Sequence, residues 1–352
     1  MPLRHNDTMT NRRRPTMKDV AQHAGVSVST VSYVLNNSGP VAADRRARVL
    51  DAVEVLNYTP NESARSLKRR SASTIGLVVP DLANQFFALL AEGVERAASE
   101  RDVLVVLCAP EATGAAGSVN ARLLRSQRLD GVVYLSGADM SPSSLLELTR
   151  LGPVVLVDEQ IPGFDLPAVV SDSRRGARAI ARHVLEQGHE QLAIIGGPAQ
   201  LWTAQQRLAG YREAIAAAGR DPDDLPVLAG DYRQDSGMKL AAQLFAGPPE
   251  ERPTALLCAN DLMAIGALQY CKSVGLTVPD DLSIVGFDDL PVASLLTPAL
   301  TTVRQPARDM GFAAANRLFD LLEDKSADRS ADQFPVTIQI RDSVAPPPGA
   351  RP

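Results

Sequence analysis

The sequence predicts two structural parts: a small all-α helix-turn-helix headpiece ending in a hinge helix, and a larger α/β core of two lobes. Three observations predict it. From Thr74 onward, short continuous apolar runs alternate with helical stretches rich in Ala, Leu, Arg and Glu, the pattern of parallel sheets covered by helices on both faces. Near the N-terminus, two short amphipathic segments are joined at a single glycine, Gly25. The charge is also divided: residues 1–70 carry 12 Lys and Arg against 6 Asp and Glu, while the rest carries 24 against 35, for a net of −5. A small basic head on an acidic body is expected to meet a polyanion with the head alone.

In the head, Thr16 and Asp19 predict a capping box opening a helix from Met17 to Ala24, with Val20, Ala21 and Ala24 on one face. Gly25 ends it in a left-handed residue. Ser27 caps a second helix reaching about Asn36, whose Val31, Val34 and Leu35 form the apolar side. Two short helices around a tight turn are the helix-turn-helix pattern, in which the second helix enters the major groove. Val28, Ser29 and Thr30 occupy its first turn, and Tyr33 lies one turn on; hydroxyls match base edges and Val28 suits a thymine methyl. A third helix, about Ala43 to Leu56, closes the core through Val49, Val53 and Leu56, and Pro60 breaks the chain after it. Asn61 caps a last short segment, Glu62 to Lys68, in which Arg65, Lys68, Arg69 and Arg70 surround Leu67. A helix this short is marginal in isolation.

In the core, expected strands are Ile75–Val79, Val103–Leu107, Gly131–Leu135 and Val154–Val157, then Leu192–Ile195, Ala255–Cys258 and Ser283–Val285. Helices are expected at Phe87–Ser99, Ser173–Glu186 and Asn260–Val274. The expected boundaries are a basic arm at 1–16, the head at 17–60, a hinge helix and linker at 61–73, and the core at 74–342. Lobe 1 takes about 74–172 with 304–330, lobe 2 about 173–303 with 331–342, and 343–352 form a disordered tail. Residues 1–16 read two ways, as an arm adding phosphate contacts or as the product of an early start codon.

Ligands of open α/β sheets bind beyond the carboxyl ends of the strands. Asp81, Asn84, Phe86 and Phe87 follow the first strand, and Asp158 the fourth. Trp202 and Arg207 follow Leu192–Ile195, Tyr232 follows Gly230-Asp231, Asn260 and Asp261 follow Cys258, and Asp288 follows Phe287. Carboxylates, an amide, a guanidinium and aromatic rings together suit a sugar, whose hydroxyls donate and accept while its C–H faces stack. Taken singly, an acid at a strand end is more often a helix cap.

Other function classes find no support. There is no GxGxxG opening a helix, no GxxxxGK[ST] and no GxSxG, and no His stands with a nucleophile and an orienting acid. The chain is therefore expected not to be an enzyme and to need no cofactor. Cys108, Cys258 and Cys271 have no metal or redox spacing and read as reduced, buried thiols. His5, His23, His183 and His189 form no metal pattern. With no basic-then-apolar leader and no apolar run of ~18 residues, the expectation is a cytoplasmic protein without membrane contact.

The run Met17-Lys18-Asp19-Val20-Ala21, Ala24-Gly25-Val26-Ser27, Thr30-Val31-Ser32 and Leu35-Asn36, then Asn57-Tyr58-Thr59-Pro60-Asn61 and Ala64-Arg65-Ser66-Leu67-Lys68, resembles the lactose/galactose-repressor family. The similarity continues to about residue 342. It implies a periplasmic-binding-protein-like core, a homodimer on a palindromic DNA operator, and a small-molecule effector controlling it. It implies that Leu67 wedges into the minor groove, that Arg207, Asn260 and Asp288 bind effector, and that Phe86 and Tyr232 line the pocket. Purine-responsive members generally carry an arginine where this chain has Leu201, so a carbohydrate is expected rather than a nucleobase. One departure is Ala42, where members usually offer a hydroxyl to cap the third helix. The tail, Ala345-Pro346-Pro347-Pro348, shows no leucine heptad of the kind that makes some relatives tetramers. The rival class with the same two-lobed body is a periplasmic solute-binding protein, against which the fused helix-turn-helix argues.

Overall fold

A computed structural model describes residues 15–36, 39, 41–56, 58, 74–109, 129–135, 142–150, 152–323 and 330–348. The expected hinge helix, with Arg65, Leu67 and Lys68, lies outside the described residues, as does nearly all of the arm. The chain divides into two compact units, residues 1–71 and 72–352.

The head follows its sequence closely. Helix α1 (Met17–Ala24) opens with the Thr16–Asp19 capping box and ends at Gly25, whose φ of 62° is left-handed. Helix α2 (Val28–Asn36) is capped by Ser27, whose Oγ accepts the Thr30 N–H at 3.1 Å. Helix α3 (Ala43–Val55) starts at Ala42 with no side-chain cap. Val20, Ala24, Val31, Val34, Val49, Ala52 and Tyr58 form the buried core of this unit.

The second unit holds two parallel sheets. The first sheet uses β1 (Thr74–Val78), β2 (Leu104–Cys108), β3 (Gly131–Leu135), β4 (Val154–Val157) and β5 (Ala168–Ser171). Helices α4 (Gln85–Ser99) and α5 (Pro142–Thr149) lie between these strands in the chain. The second sheet uses β6 (Leu192–Gly196), β7 (Val227–Ala229), β8 (Ala255–Cys258) and β9 (Ser283–Val285), in the order β7-β6-β8-β9. Its helices are α6 (Ser173–Glu186), α7 (Trp202–Ala217), α8 (Gln234–Leu244) and α9 (Asp261–Val274). The chain then runs through β10 (Thr302–Arg304), α10 (Ala307–Leu322), β11 (Ala331–Phe334) and β12 (Thr337–Gln339). Strands β1, β3 and β4 bury nearly every residue, which is why their sequences are continuous apolar runs rather than alternating ones.

Two expected boundaries need correction. Residues 331–334 do not belong to lobe 2: β11 pairs in parallel with β5 and completes a six-stranded sheet of order β11-β5-β4-β3-β1-β2. Its sequence, Ala-Asp-Gln-Phe, is polar because it is an edge, and an ion pair from Arg317 to Asp332 at 2.5 Å holds it there. Lobe 2 resumes at β12, which pairs antiparallel with β10. The tail is not disordered from its start either. Ser343 is fully buried, donating to the Ile284 carbonyl at 2.6 Å and accepting the Thr301 N–H at 2.8 Å, and His189 Nε2 lies 2.8 Å from the Ala345 carbonyl. A Pro-rich stretch lacks strand patterning, but partners elsewhere in the chain satisfy its polar groups. No helix among the described residues is long and apolar enough to cross a membrane.

Helices α6 and α7 approach closely at Gly210, where a Cβ would stand 2.2 Å from the Arg174 carbonyl. That contact fixes α7, the helix carrying Arg207, against the second lobe.

Candidate functional site

Two surfaces carry chemistry. On the head, α2 turns Val31 and Val34 inward and leaves Val28 41% and Tyr33 50% exposed. Ser29 is exposed beside them, and the Ser27 hydroxyl lies 2.7 Å from that of Ser29 and 2.8 Å from that of Thr30. The first two turns of α2 therefore present to solvent an apolar side chain, a linked set of hydroxyls and a phenol. The side chain of Asn36 lies outside the described residues.

In the core, the centre of the site is Arg207, on α7 and only 3% exposed. Its Nη1 donates to the Ala259 carbonyl at 2.6 Å and lies 3.5 Å from Asp288 Oδ1. The guanidinium sits over the Phe287 ring at 4.1 Å and 5.6 Å from the centre of the Tyr232 ring. Burial works against its charge, but Tyr232, Asp288 and Asp158 hold it above the ordinary arginine value. Burial pushes the Asp288 carboxyl up to about 6, against the pull of Arg207 and a 2.7 Å hydrogen bond from Gln305 Nε2. Burial likewise raises Asp158, opposed by Arg207 and reinforced by Glu159 and Asp288. Two shielded polar atoms here have no hydrogen-bond partner: Arg207 Nε and Asp158 Oδ1.

Backbone strain marks the same place. Asp158, Tyr232 and Asp288 adopt φ values of 62°, 68° and 113°, which non-glycine residues rarely take. Tyr232 is held by the Asn260 side chain, whose Nδ2 donates to its carbonyl at 3.0 Å. Its ring passes over Gly197, where a Cβ would fall 2.3 Å from Tyr232 Cζ.

Not every expected residue joins this group. Asn260 does so as a scaffold: it caps α9, accepting the Met263 N–H at 2.9 Å, while positioning Tyr232. Asp81 instead stands 3.6 Å from Arg233 of the other lobe. Trp202 is half-buried at the start of α7 and packs against the lobe 1 cluster containing Tyr134 and Leu156. Phe86 is a core residue of lobe 1, packed in the cluster that includes Leu90 and Leu290. Phe87 is not brought to Arg207: it lines a separate depression of about 400 Å³ with Val79, Leu82 and Leu107. A helix start after a strand places some side chains into the sheet core and others on the outer face, and the two phenylalanines take those positions.

Of four further contributors, sequence reasoning placed only Asp261 among the strand-end residues and gave the others no role. Phe287 stacks under Arg207. Gln305 bridges Asp288 and Ser171, receiving the Ser171 hydroxyl. Asp261, fully buried, accepts the Thr302 hydroxyl at 2.5 Å and the Leu290 N–H at 2.7 Å, fixing the loop that carries Asp288. Glu159, 4% exposed, accepts the N–H groups of Trp202 and Thr203 at 2.9 and 3.1 Å. Only Asp261 had a local signal, since it opens a helix after a strand.

A helix-turn-helix with an exposed face on its second helix, in one chain with a two-lobed core that buries a strained, charged cluster, defines an effector-controlled DNA-binding transcription regulator. Residues 16–61 match the bacterial regulatory proteins of the lacI family, and residues 181–344 match the periplasmic binding protein-like domain. The chain is 33% identical to the transcriptional repressor PurR of Photobacterium profundum, over 94% of this chain and 98% of that one. It is 34% identical to the ribose operon repressor of Escherichia coli (strain K12), over 94% and 99%. The structure of the Lac repressor dimer bound to operator and the anti-inducer ONPF superposes with a TM-score of 0.83 at 28% identity, over 95% and 100%. The chain belongs to the lacI family of regulatory proteins.

Proposed function

We propose that this regulator is a cytoplasmic repressor that binds a near-palindromic operator as a homodimer and is switched by an uncharged, hydroxyl-rich effector, a sugar. The observation that carries the effector reading is the pair of buried, unpartnered atoms at Arg207 Nε, a donor, and Asp158 Oδ1, an acceptor. Buried polar atoms nearly always have partners. A vicinal diol answers such a set, since each hydroxyl donates to a carboxylate while accepting from a guanidinium. Asp158, Glu159 and Asp288 outnumber Arg207 around the cleft, which favours a neutral ligand over an anionic one.

A nucleobase or nucleoside is the second reading, favoured by the 33% identity to a purine-named repressor, PurR. Against it stands Leu201, buried and apolar at the edge of the site. On the DNA side, Ser27, Val28, Ser29, Thr30, Tyr33 and Asn36 form the reading helix, Arg65 and Lys68 hold phosphates, and Leu67 is the minor-groove wedge. A shift of the first lobe on effector binding would change the spacing of the two hinge segments, for which ~1–3 kcal/mol of coupling suffices.

The test is a thermal-shift screen of mono- and disaccharides, with purine bases and nucleosides alongside. A ligand at about 100 times its Kd should stabilise the core by ~2.7 kcal/mol. A sugar that does so in the wild type and not in Asp288→Ala supports the reading, and a purine as the sole stabiliser replaces it with the second.

A further inference from the structure

The first turn of a helix leaves its N–H groups unpaired unless a cap takes them. Helix α7 has 16 residues, yet its N-cap residue, Leu201, offers no side-chain hydrogen bond. The cap comes from the other lobe. Glu159 follows β4, turned across the cleft by the left-handed Asp158. Its Oε2 accepts the Trp202 N–H at 2.9 Å, and its Oε1 accepts the Thr203 N–H at 3.1 Å and the Thr203 hydroxyl. A carboxylate on that helix end also meets the positive pole of the helix.

The contact is more than a stray cap. Trp202, in lobe 2, packs its ring on the lobe 1 cluster containing Tyr134 and Leu156. Thr203 and Arg207 are four residues apart on α7 and so share a helix face. One helix thus carries both the anchor of the contact and the cation of the effector site. All three hydrogen bonds join groups of this chain, so the contact needs no ligand.

We propose that Glu159 is a built-in latch that holds the two lobes together and takes the place an anionic ligand group would occupy on the N-terminus of α7, matching the cleft to uncharged effectors. The seat for an anion is filled by the chain itself, and its neighbour Asp158 repels a second one.

The chain has a single tryptophan, and its own N–H is one of the latched donors, so Trp202 emission reports on the latch directly. The experiment uses the full chain with no effector, so its failure would leave the effector reading standing. Glu159→Ala should shift Trp202 emission to the red and raise its quenching by acrylamide relative to the wild type. Sodium formate should reverse both changes in Glu159→Ala, where sodium chloride at equal ionic strength does not, and should leave the wild type unchanged. Glu159→Gln, which keeps an acceptor oxygen and the side chain's volume, should give intermediate quenching. Wild-type emission and quenching in either variant would overturn the latch. A shift in Glu159→Ala that formate and chloride affect equally would overturn the anion seat.

Discussion

Arg207 and Asp288 meet at 3.5 Å in the buried centre of the core, one on helix α7 and the other on the strained loop after β9. Each is the other's counter-charge where water is excluded, so removing one strands the other. Removing one partner of a buried pair typically costs ~3–5 kcal/mol. Arg207 keeps the Ala259 carbonyl, so Asp288→Ala should fall near the lower end, about 3 kcal/mol in urea denaturation. The same variant should bind DNA normally and lose its response to effector; a wild-type dose response would count against the site.

The raised Asp288 carboxyl gives a pH dependence of definite sign. Its folded value of about 6 lies above the ordinary aspartate value of ~3.9. The folded state therefore holds the proton more tightly, so its contribution is fully present below pH ~4 and is lost as pH rises to about 6. Asp261, Asp158 and Glu159 are shifted the same way by burial. Urea midpoints measured across this window should fall with rising pH in the wild type and fall less in Asp288→Asn. Identical slopes would mean that Asp288 titrates normally.

Gly197→Ala should disturb effector binding without touching the head. Its new methyl would lie within 2.6 Å of three atoms of the Tyr232 side chain, so the ring must move off Arg207. Overpacking of this kind costs ~1–3 kcal/mol. Effector affinity measured by calorimetry should drop at least about tenfold, equivalent to ~1.4 kcal/mol, with operator affinity in the absence of effector retained. Unchanged effector affinity would remove Tyr232 from the site.

Ala42→Ser should stabilise the head. The start of α3 has no side-chain cap, and supplying one is worth about 1 kcal/mol. Hydrogen exchange of the first-turn amides of α3 in the full chain should slow about fivefold, the factor equivalent to that energy. No slowing would indicate that Thr- or Ser-type capping is blocked at this turn.

What could be read in advance, and what could not, divides by the range of the interaction. The head was legible because its signals are local: Thr16 with Asp19, Gly25 and Ser27 each act within three or four residues. Strands β3, β4, β8 and β9 were legible because full burial writes itself as an apolar run. Strand β11 was not, since Asp332 and Gln333 sit on an edge strand and its partner, β5, is remote in the chain. The ends of the strands pointed to Arg207, Asp158, Tyr232 and Asp288, which the structure brings together. They could not separate Phe87, which faces elsewhere, or reveal Glu159, whose partners lie 43 and 44 residues on in the other lobe. The left-handed φ values at Asp158, Tyr232 and Asp288 had no sequence signature either, because backbone strain runs against local preference.

Operator titration of the full chain, using duplexes selected from a random pool with and without the sugar found by the thermal-shift screen, tests the central claim most directly. A dyad-symmetric duplex should be enriched, bound as two chains per site, with an affinity that changes at least about fivefold when that sugar is present, the lower end of typical allosteric coupling. Equal binding to symmetric and scrambled duplexes at every sugar concentration would contradict that claim.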